Sequence, residues 1–329
     1  MTLEEKQALI EGALSANPRF DHPVYRENLA RVAVETQIKK QEVGGQTFTT
    51  IFLTHNTIPS AYRNDPEFCV SGDARYFKSL TLDDELRIQS IGVPHFFNLE
   101  NFKEMAQFAL WQESFRYIEK HDGTCFLITV EPDRFIVRSR RQIYTITDNL
   151  SCLDFPGYDV GTRISALCQE LRSRGRFTVL SEAIFPHPAI RPVKLTPFYK
   201  QVIRGAGFCP FVDYPSQDNF FNGIVWHDSL RMEPQDSLDE MCARHGIRRP
   251  KALRFESFDD TLGWLRRKQN AEGFCVYFND DQSILKFKTR WYRRVRNTTG
   301  EIFALLKPPA VRMNTLPPQR KETKLAKAG

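Results

Sequence analysis

The chain predicts an α+β core rather than a doubly wound parallel sheet. Three observations point there. Strand-like and helix-like runs follow one another irregularly, without the steady βαβ rhythm of a doubly wound parallel sheet and without an internal repeat. Several strand-like runs are separated only by short turn sequences. The 329 residues are 41% hydrophobic and include 26 phenylalanines, enough to bury a sizeable core.

In chain order, Thr2-x-x-Glu5 is a capping-box signature opening a helix over 2–14, with Leu3, Ile10 and Leu14 on one face. A second, longer helix is predicted over 25–39. The β-branched and aromatic run 47–54 predicts a strand, and 68–77 and 86–93 read as further strands. A helix over 101–112, with Phe102, Met105 and Ala109 on one face, leads towards a strand ending at Lys120. His121 to Thr124 then turn into a strand over 125–130. Glu131-Pro132-Asp133 marks a turn before a strand over 134–139. The periodicity of Ile164, Leu167, Cys168 and Leu171 predicts a helix over 158–173, and 177–184 is an apolar strand carrying one carboxylate, Glu182. Residues 186–216, rich in proline and aromatics, are expected to form a long loop or insertion. A strand over 220–226, helices over 237–245 and 259–269, and strands over 273–278 and 283–288 follow, the last two joined by a tight turn at 279–282. Beyond Arg296 the periodicity fades, and 317–329 reads as a mobile basic tail.

The net charge of +6 is unevenly placed: Lys286 to Arg296 holds six basic residues in eleven, and residues from Lys307 onward add six more against one Glu. Such clusters suit a polyphosphate or a nucleic-acid backbone better than a neutral metabolite. Seven scattered cysteines without a C-x-x-C pair argue for a reducing compartment and against a disulfide framework. Cys242-x-x-His245 has half of a zinc spacing without a second pair. No membrane-length apolar run or signal-peptide pattern is present, so cytoplasm or nucleus is expected.

Lys120 is the residue around which chemistry can be organised. Taken alone it is a hairpin lysine. As a nucleophile it must be partly neutral, and its free pKa of about 10.4 has to fall through burial or nearby cations. Lys286 and Lys288 are two apart on one strand and so share a face; meeting Lys120 there, they would lower its pKa and neutralise charge growing on a phosphate. Gly123 allows the backbone a close approach to a ligand. Glu272, just before a strand and beside Gly273, would hold a divalent cation through water.

These segments together resemble the covalent nucleotidyltransferases, the ATP-dependent ligases and mRNA capping guanylyltransferases. Lys120-His121-Asp122-Gly123 is similar to the K-x-D-G nucleophile motif, 177–182 to the downstream carboxylate strand, Glu272-Gly273 to the E-G motif and Lys286-Phe287-Lys288 to the paired-lysine motif. Phe96-Phe97-Asn98-Leu99, and Lys286 to Tyr292 read as K-x-K-[ST]-x-W-Y, bring it nearer the first, phage-type RNA ligase family. The resemblance covers 68–296. It implies a nucleotidyltransferase domain of antiparallel sheets flanked by helices over 1–300, with 1–66 as its N-terminal extension and 301–329 as the tail. The short stretch after Arg296 leaves little room for the oligonucleotide-binding barrel of DNA ligases and capping enzymes.

By the resemblance, Lys120 receives AMP from ATP, Glu119 lies near the adenine and Gly123 closes the turn over the nucleotide. Arg140 contacts the nucleotide after the second strand, Glu182 lies near the ribose with Phe97 upstream, and Arg75 meets the triphosphate end. Glu272 positions magnesium or manganese, and Lys286 and Lys288 grip the α-phosphate. His95 stands where the family commonly has lysine before Phe-Phe-Asn. The implied reaction joins a 5′-phosphate to a 3′-hydroxyl of RNA through lysyl-AMP and RNA-adenylate. Single-stranded or broken tRNA-like RNA is the implied substrate, with a polynucleotide kinase/phosphatase as a possible partner in repair. The alternatives are a ligase-fold RNA-binding module of weakened activity and a GTP-using capping-type enzyme.

Overall fold

A computed structural model of the chain describes residues 1–54, 62, 65, 68, 72–98, 115–186, 195–206, 210–278 and 282–306. The fold is a mixed α+β one. Its described strands are β1 (Thr36–Val43), β2 (Gln46–Leu53), β3 (Ser79–Leu82), β4 (Ile88–Ile91), β5 (Phe97–Asn98), β6 (Phe115–Lys120), β7 (Thr124–Val130), β8 (Phe135–Arg138), β9 (Ile143–Thr147), β10 (Phe177–Ile184), β11 (Asp218–Trp226), β12 (Arg231–Met232), β13 (Ala252–Leu253), β14 (Gly273–Phe278) and β15 (Ile284–Lys288). They form a four-stranded sheet β1-β2-β3-β4, a six-stranded sheet β12-β11-β10-β7-β8-β9 and a five-stranded sheet β13-β6-β14-β15-β5. Among the described strands every pairing is antiparallel except β15 with β5.

The two-residue period of β7 sorts its side chains. Phe126, Ile128 and Val130 face helices Val160–Leu171 and Gln235–Arg244 in one core, while Leu127 faces the other sheets in a second. Cys125 and Glu182, paired across β7 and β10, share the Leu127 face. The six-stranded sheet therefore presents its apolar outer face to helices and a partly polar inner face to the remaining sheets. Thr2 caps the first helix, Leu3–Ala16, with both halves of the capping box formed.

Four expectations change. The helix expected over 25–39 is two short helices, Pro23–Arg26 and Leu29–Glu35, after which the chain becomes β1 and pairs along its whole length with β2. That ladder outweighs local helical tendency. Residues 73–77, expected in a strand, lie in a 3₁₀ helix, Asp73–Lys78, since a short apolar run has no period of its own to decide the matter. Helix Pro197–Ala206 lies inside the stretch expected to be a loop, anchored by Tyr199, whose hydroxyl donates to the Leu153 carbonyl at 2.7 Å. Helix Arg290–Leu306 continues past Arg296. The helix expected over 101–112 and the tail over 317–329 lie outside the described residues. No helix among the described residues is long and apolar enough to cross a membrane.

Candidate active site

β6 ends at Lys120, and His121, Asp122 and Gly123 turn the chain into β7, so three residues carry it from the five-stranded to the six-stranded sheet. Lys120, Gly273 and Lys288 lie side by side across β6, β14 and β15. Ile118, Cys275 and Lys286 form the row two residues away. Directly opposed residues share a face, so Lys120, Lys286 and Lys288 project from one surface. The other face carries Tyr117, Phe274 and Phe287, with Phe274 and Phe287 stacked at 5.0 Å between ring centroids. This apolar backing fixes the strands that carry the lysines.

Glu272, immediately before β14 and buried, joins two of them. Its Oε2 accepts from Lys120 Nζ at 2.8 Å and its Oε1 pairs with Lys288 Nζ at 2.9 Å. Burial alone would raise the Glu272 pKa, but the two ammonium groups hold it below the usual carboxylate range. Two glycines make the approach possible. A Cβ on Gly273, whose φ is +156°, would lie 1.8 Å from the Phe287 carbonyl oxygen. A Cβ on Gly123 would lie 2.5 Å from the Ala183 carbonyl oxygen, and the Gly123 N–H donates to Glu182 Oε1 at 3.1 Å. Burial, opposed in part by Lys120, pushes the Glu182 carboxyl up to about 7.

The charge state of Lys120 differs from the sequence expectation that Lys286 and Lys288 would depress its pKa. Burial does act to lower it, yet the carboxylates of Glu272 and Glu182 outweigh burial and hold the ammonium above its ordinary range. The depressed lysine is instead Lys286, lowered to about 7 by burial and by repulsion from Lys120 and Lys288. Its Nζ donates to the Phe96 carbonyl at 3.0 Å and sits 4.8 Å from the centroid of the Phe96 ring. Lys288 is also lowered, mainly by burial, with its Nζ 4.8 Å over the Tyr292 ring.

The remaining residues singled out from the sequence fall into two groups. Arg140 lies close enough to Glu182 and Lys286 to act on the charge of both. Phe97 in β5 is buried, stacked on His95 at 4.2 Å and paired alongside Leu285. By contrast the Glu119 side chain is on the opposite sheet face from Lys120, within reach of Lys251 and Lys268. Arg75 is buried, and its guanidinium donates to the carbonyls of Gly72 and Gln282, tying the 3₁₀ helix to the start of β15.

Asp122 had no role assigned from the sequence, although it lies within the Lys120 to Gly123 motif. It is buried; Oδ2 accepts from the Phe211 and Val212 N–H groups at 2.7 and 3.2 Å, and Oδ1 accepts from the Tyr292 hydroxyl at 2.9 Å. Its own N–H donates to the Tyr214 hydroxyl at 2.7 Å. Asp122 thereby clamps the turn after Lys120 to a loop 90 residues on and to the helix following β15, 170 residues on. The Asp within the motif was the available signal; its partners lay too far along the chain to be read.

No family model matches the chain, and no curated protein does. Several solved structures are similar to it. A candidate ATP-dependent DNA ligase from Aquifex aeolicus is 14% identical, with 84% of this chain and 66% of that chain covered and a TM-score of 0.48. An archaeal ATP-dependent RNA ligase is 11% identical over 89% of this chain and 72% of its own, TM-score 0.48. An RNA ligase from Naegleria gruberi with pyrophosphate is 11% identical over 83% of both chains, TM-score 0.44. This chain thus spans just under two thirds of the Aquifex protein's length. At these identities and scores the likeness by itself decides nothing about chemistry.

Proposed function

We propose that the chain is an ATP-dependent RNA ligase whose covalent intermediate forms on Lys120. The observation that carries this reading is the convergence of Lys120, Glu272 and Lys288, with Lys286 on the same sheet face and Glu182 across the turn. A lone lysine in a hairpin needs no such company. A lysine that attacks phosphorus needs a group to manage its proton and cations to offset phosphate charge, and these side chains supply both.

The ligand-free arrangement is a resting one, since Glu272 keeps Lys120 charged. Attack requires this pair to loosen and the Lys120 proton to pass to solvent. The neutral Nζ then bonds to the α-phosphorus of ATP as the bond from that phosphorus to the β-bridging oxygen breaks, and pyrophosphate departs with the electron pair. In the second step a 5′-phosphate oxygen of RNA displaces Lys120 Nζ, which regains a proton. In the third, a 3′-hydroxyl attacks the 5′-phosphorus and AMP leaves. Lys286 and Lys288 offset the anionic charge gathering on the α-phosphate, and Glu182, anchored on the Gly123 N–H, suits a ribose hydroxyl.

Among the described residues no group of three or more metal-ligating side chains exists. Glu272 suits a magnesium or manganese ion that brings its remaining ligands as water and nucleotide phosphate oxygens. Such an ion would supply positive charge against the triphosphate. The test is incubation with ATP labelled at the α-phosphate and magnesium, followed by denaturing electrophoresis. A labelled adduct is expected in the native chain and none in Lys120→Ala. A folded native chain that takes no label from ATP sinks the reading, and label taken from GTP in preference would favour a capping-type activity.

A further inference from the structure

Lys78, the last residue of the 3₁₀ helix Asp73–Lys78, is only 4% exposed. Among the described residues its ammonium makes no hydrogen bond and no ion pair. The charged groups that act on it are both cations, Lys286 and Arg140. Burying an unpaired cation beside two others is costly unless an anion arrives to meet it.

The backbone around it is firmly built. The next residue, Ser79, donates from its hydroxyl to the Arg140 carbonyl at 2.9 Å. Arg138, fully buried, donates to the Ser79 hydroxyl at 2.9 Å and to the Ser79 carbonyl at 3.0 Å. One scaffold therefore holds both Lys78 and Arg140 in place. Arg75, expected at the triphosphate end, is otherwise engaged with the Gly72 and Gln282 carbonyls, and His95, in place of the family's lysine, is stacked on Phe97.

We infer that Lys78, with Arg140 beside it, binds the β- and γ-phosphates of the incoming nucleotide and holds the departing pyrophosphate. Lys78 so replaces the cation missing where His95 stands. The inference rests on the nucleotidyl-transfer reading above and assigns its leaving-group subsite. The position agrees with the order of charges: Lys120 and Lys288 share Glu272, Lys286 lies one row further along the sheet, and Lys78 is in contact by charge with Lys286.

The experiment compares Lys78→Met with the native chain. The KM for ATP in adduct formation should rise by about tenfold or more, as expected for loss of a charge-assisted phosphate contact. Stabilisation of the chain by inorganic pyrophosphate with magnesium, read as a shift in Tm, should shrink, while the ligand-free Tm stays level or rises. The defect with ATP should exceed the defect in sealing chemically pre-adenylylated RNA, a reaction that releases no pyrophosphate. Equal defects in the two reactions would assign Lys78 to the RNA end and overturn the inference, as would a native KM and native pyrophosphate shift in the variant. If Lys78→Met does not fold, carbamylation of the native chain by cyanate, mapped by mass spectrometry, decides. Pyrophosphate should protect Lys78, and equal labelling with and without it refutes the assignment. An absence of any adduct in the native chain would instead defeat the ligase reading itself.

Discussion

The two ends of the lysine row treat buried positive charge in opposite ways. At one end Lys120 and Lys288 share the carboxylate of Glu272, one on each oxygen. At the other, among the described residues Lys286 meets the Phe96 carbonyl and ring, and the charges acting on Lys78 are those of Lys286 and Arg140. The paired end is compensated in the absence of ligand and contributes to holding β6, β14 and β15 together. The second end has no carboxylate partner among the described residues, and on the inference above an incoming anion would relieve its charge. In the proposed reaction, which binds a polyphosphate and releases part of it, such a division would keep Lys120 ordered and leave the other lysines to meet phosphate.

Substitution at each end should separate these roles. Glu272→Ala leaves two part-buried ammonium groups without their shared carboxylate, and loss of about 3 kcal/mol of stability is expected, the low end for breaking a buried pair on one side. Denaturant unfolding measures it, and adduct formation should vanish in the same variant. A loss under 1 kcal/mol would mean that the pair is solvated and the comparison between the ends is empty.

Gly123→Ala should cost less, about 2 kcal/mol, because its Cβ meets the Ala183 carbonyl and the sheets must part to admit it. The same parting moves Glu182 away from the turn, so labelling by ATP should fall as well. Native stability in this variant would show that the turn has room to adjust.

Lys286→Met should have the smallest effect on stability, and of opposite sign. Since the folded chain holds this lysine at about 7, well below its free value of about 10.4, the folded state binds fewer protons than the unfolded between those pH values. Native stability therefore gains from this group as pH rises from 7 towards 10, and the penalty of the buried charge is complete below 7. The variant should exceed the native chain by about 1 kcal/mol or more at pH 6, and that advantage should shrink steadily from pH 7 towards 10. Adduct formation should nevertheless fall by at least about tenfold, the loss of one charge-assisted contact. An advantage independent of pH would show that Lys286 is not held neutral by burial.

Much of this site is legible along the chain. Strands 177–184 and 273–278 lie where the apolar runs predict them, and Lys286 with Lys288 on one face follows from the two-residue period of a strand. The meeting of Lys120, Glu272 and the lysine pair was expected from motif resemblance, and the geometry brings those side chains together. Less legible were the residues whose meaning depends on what packs over them. Asp122 reads as a turn residue until Phe211, Val212 and Tyr292 close on it, and Lys78 reads as the end of an aromatic run.

By itself the sequence determined the chemistry available here: which strands alternate, which glycines admit close approach and which lysines share a face. Those features are set by local backbone period and by residue type. Only the tertiary structure decided how charge is distributed among the lysines. Lys120, expected to be the depressed one, is held charged by Glu272, while Lys286 carries the depression. Proximity to a carboxylate 152 residues away outweighs burial, and no pattern along the chain encodes that distance.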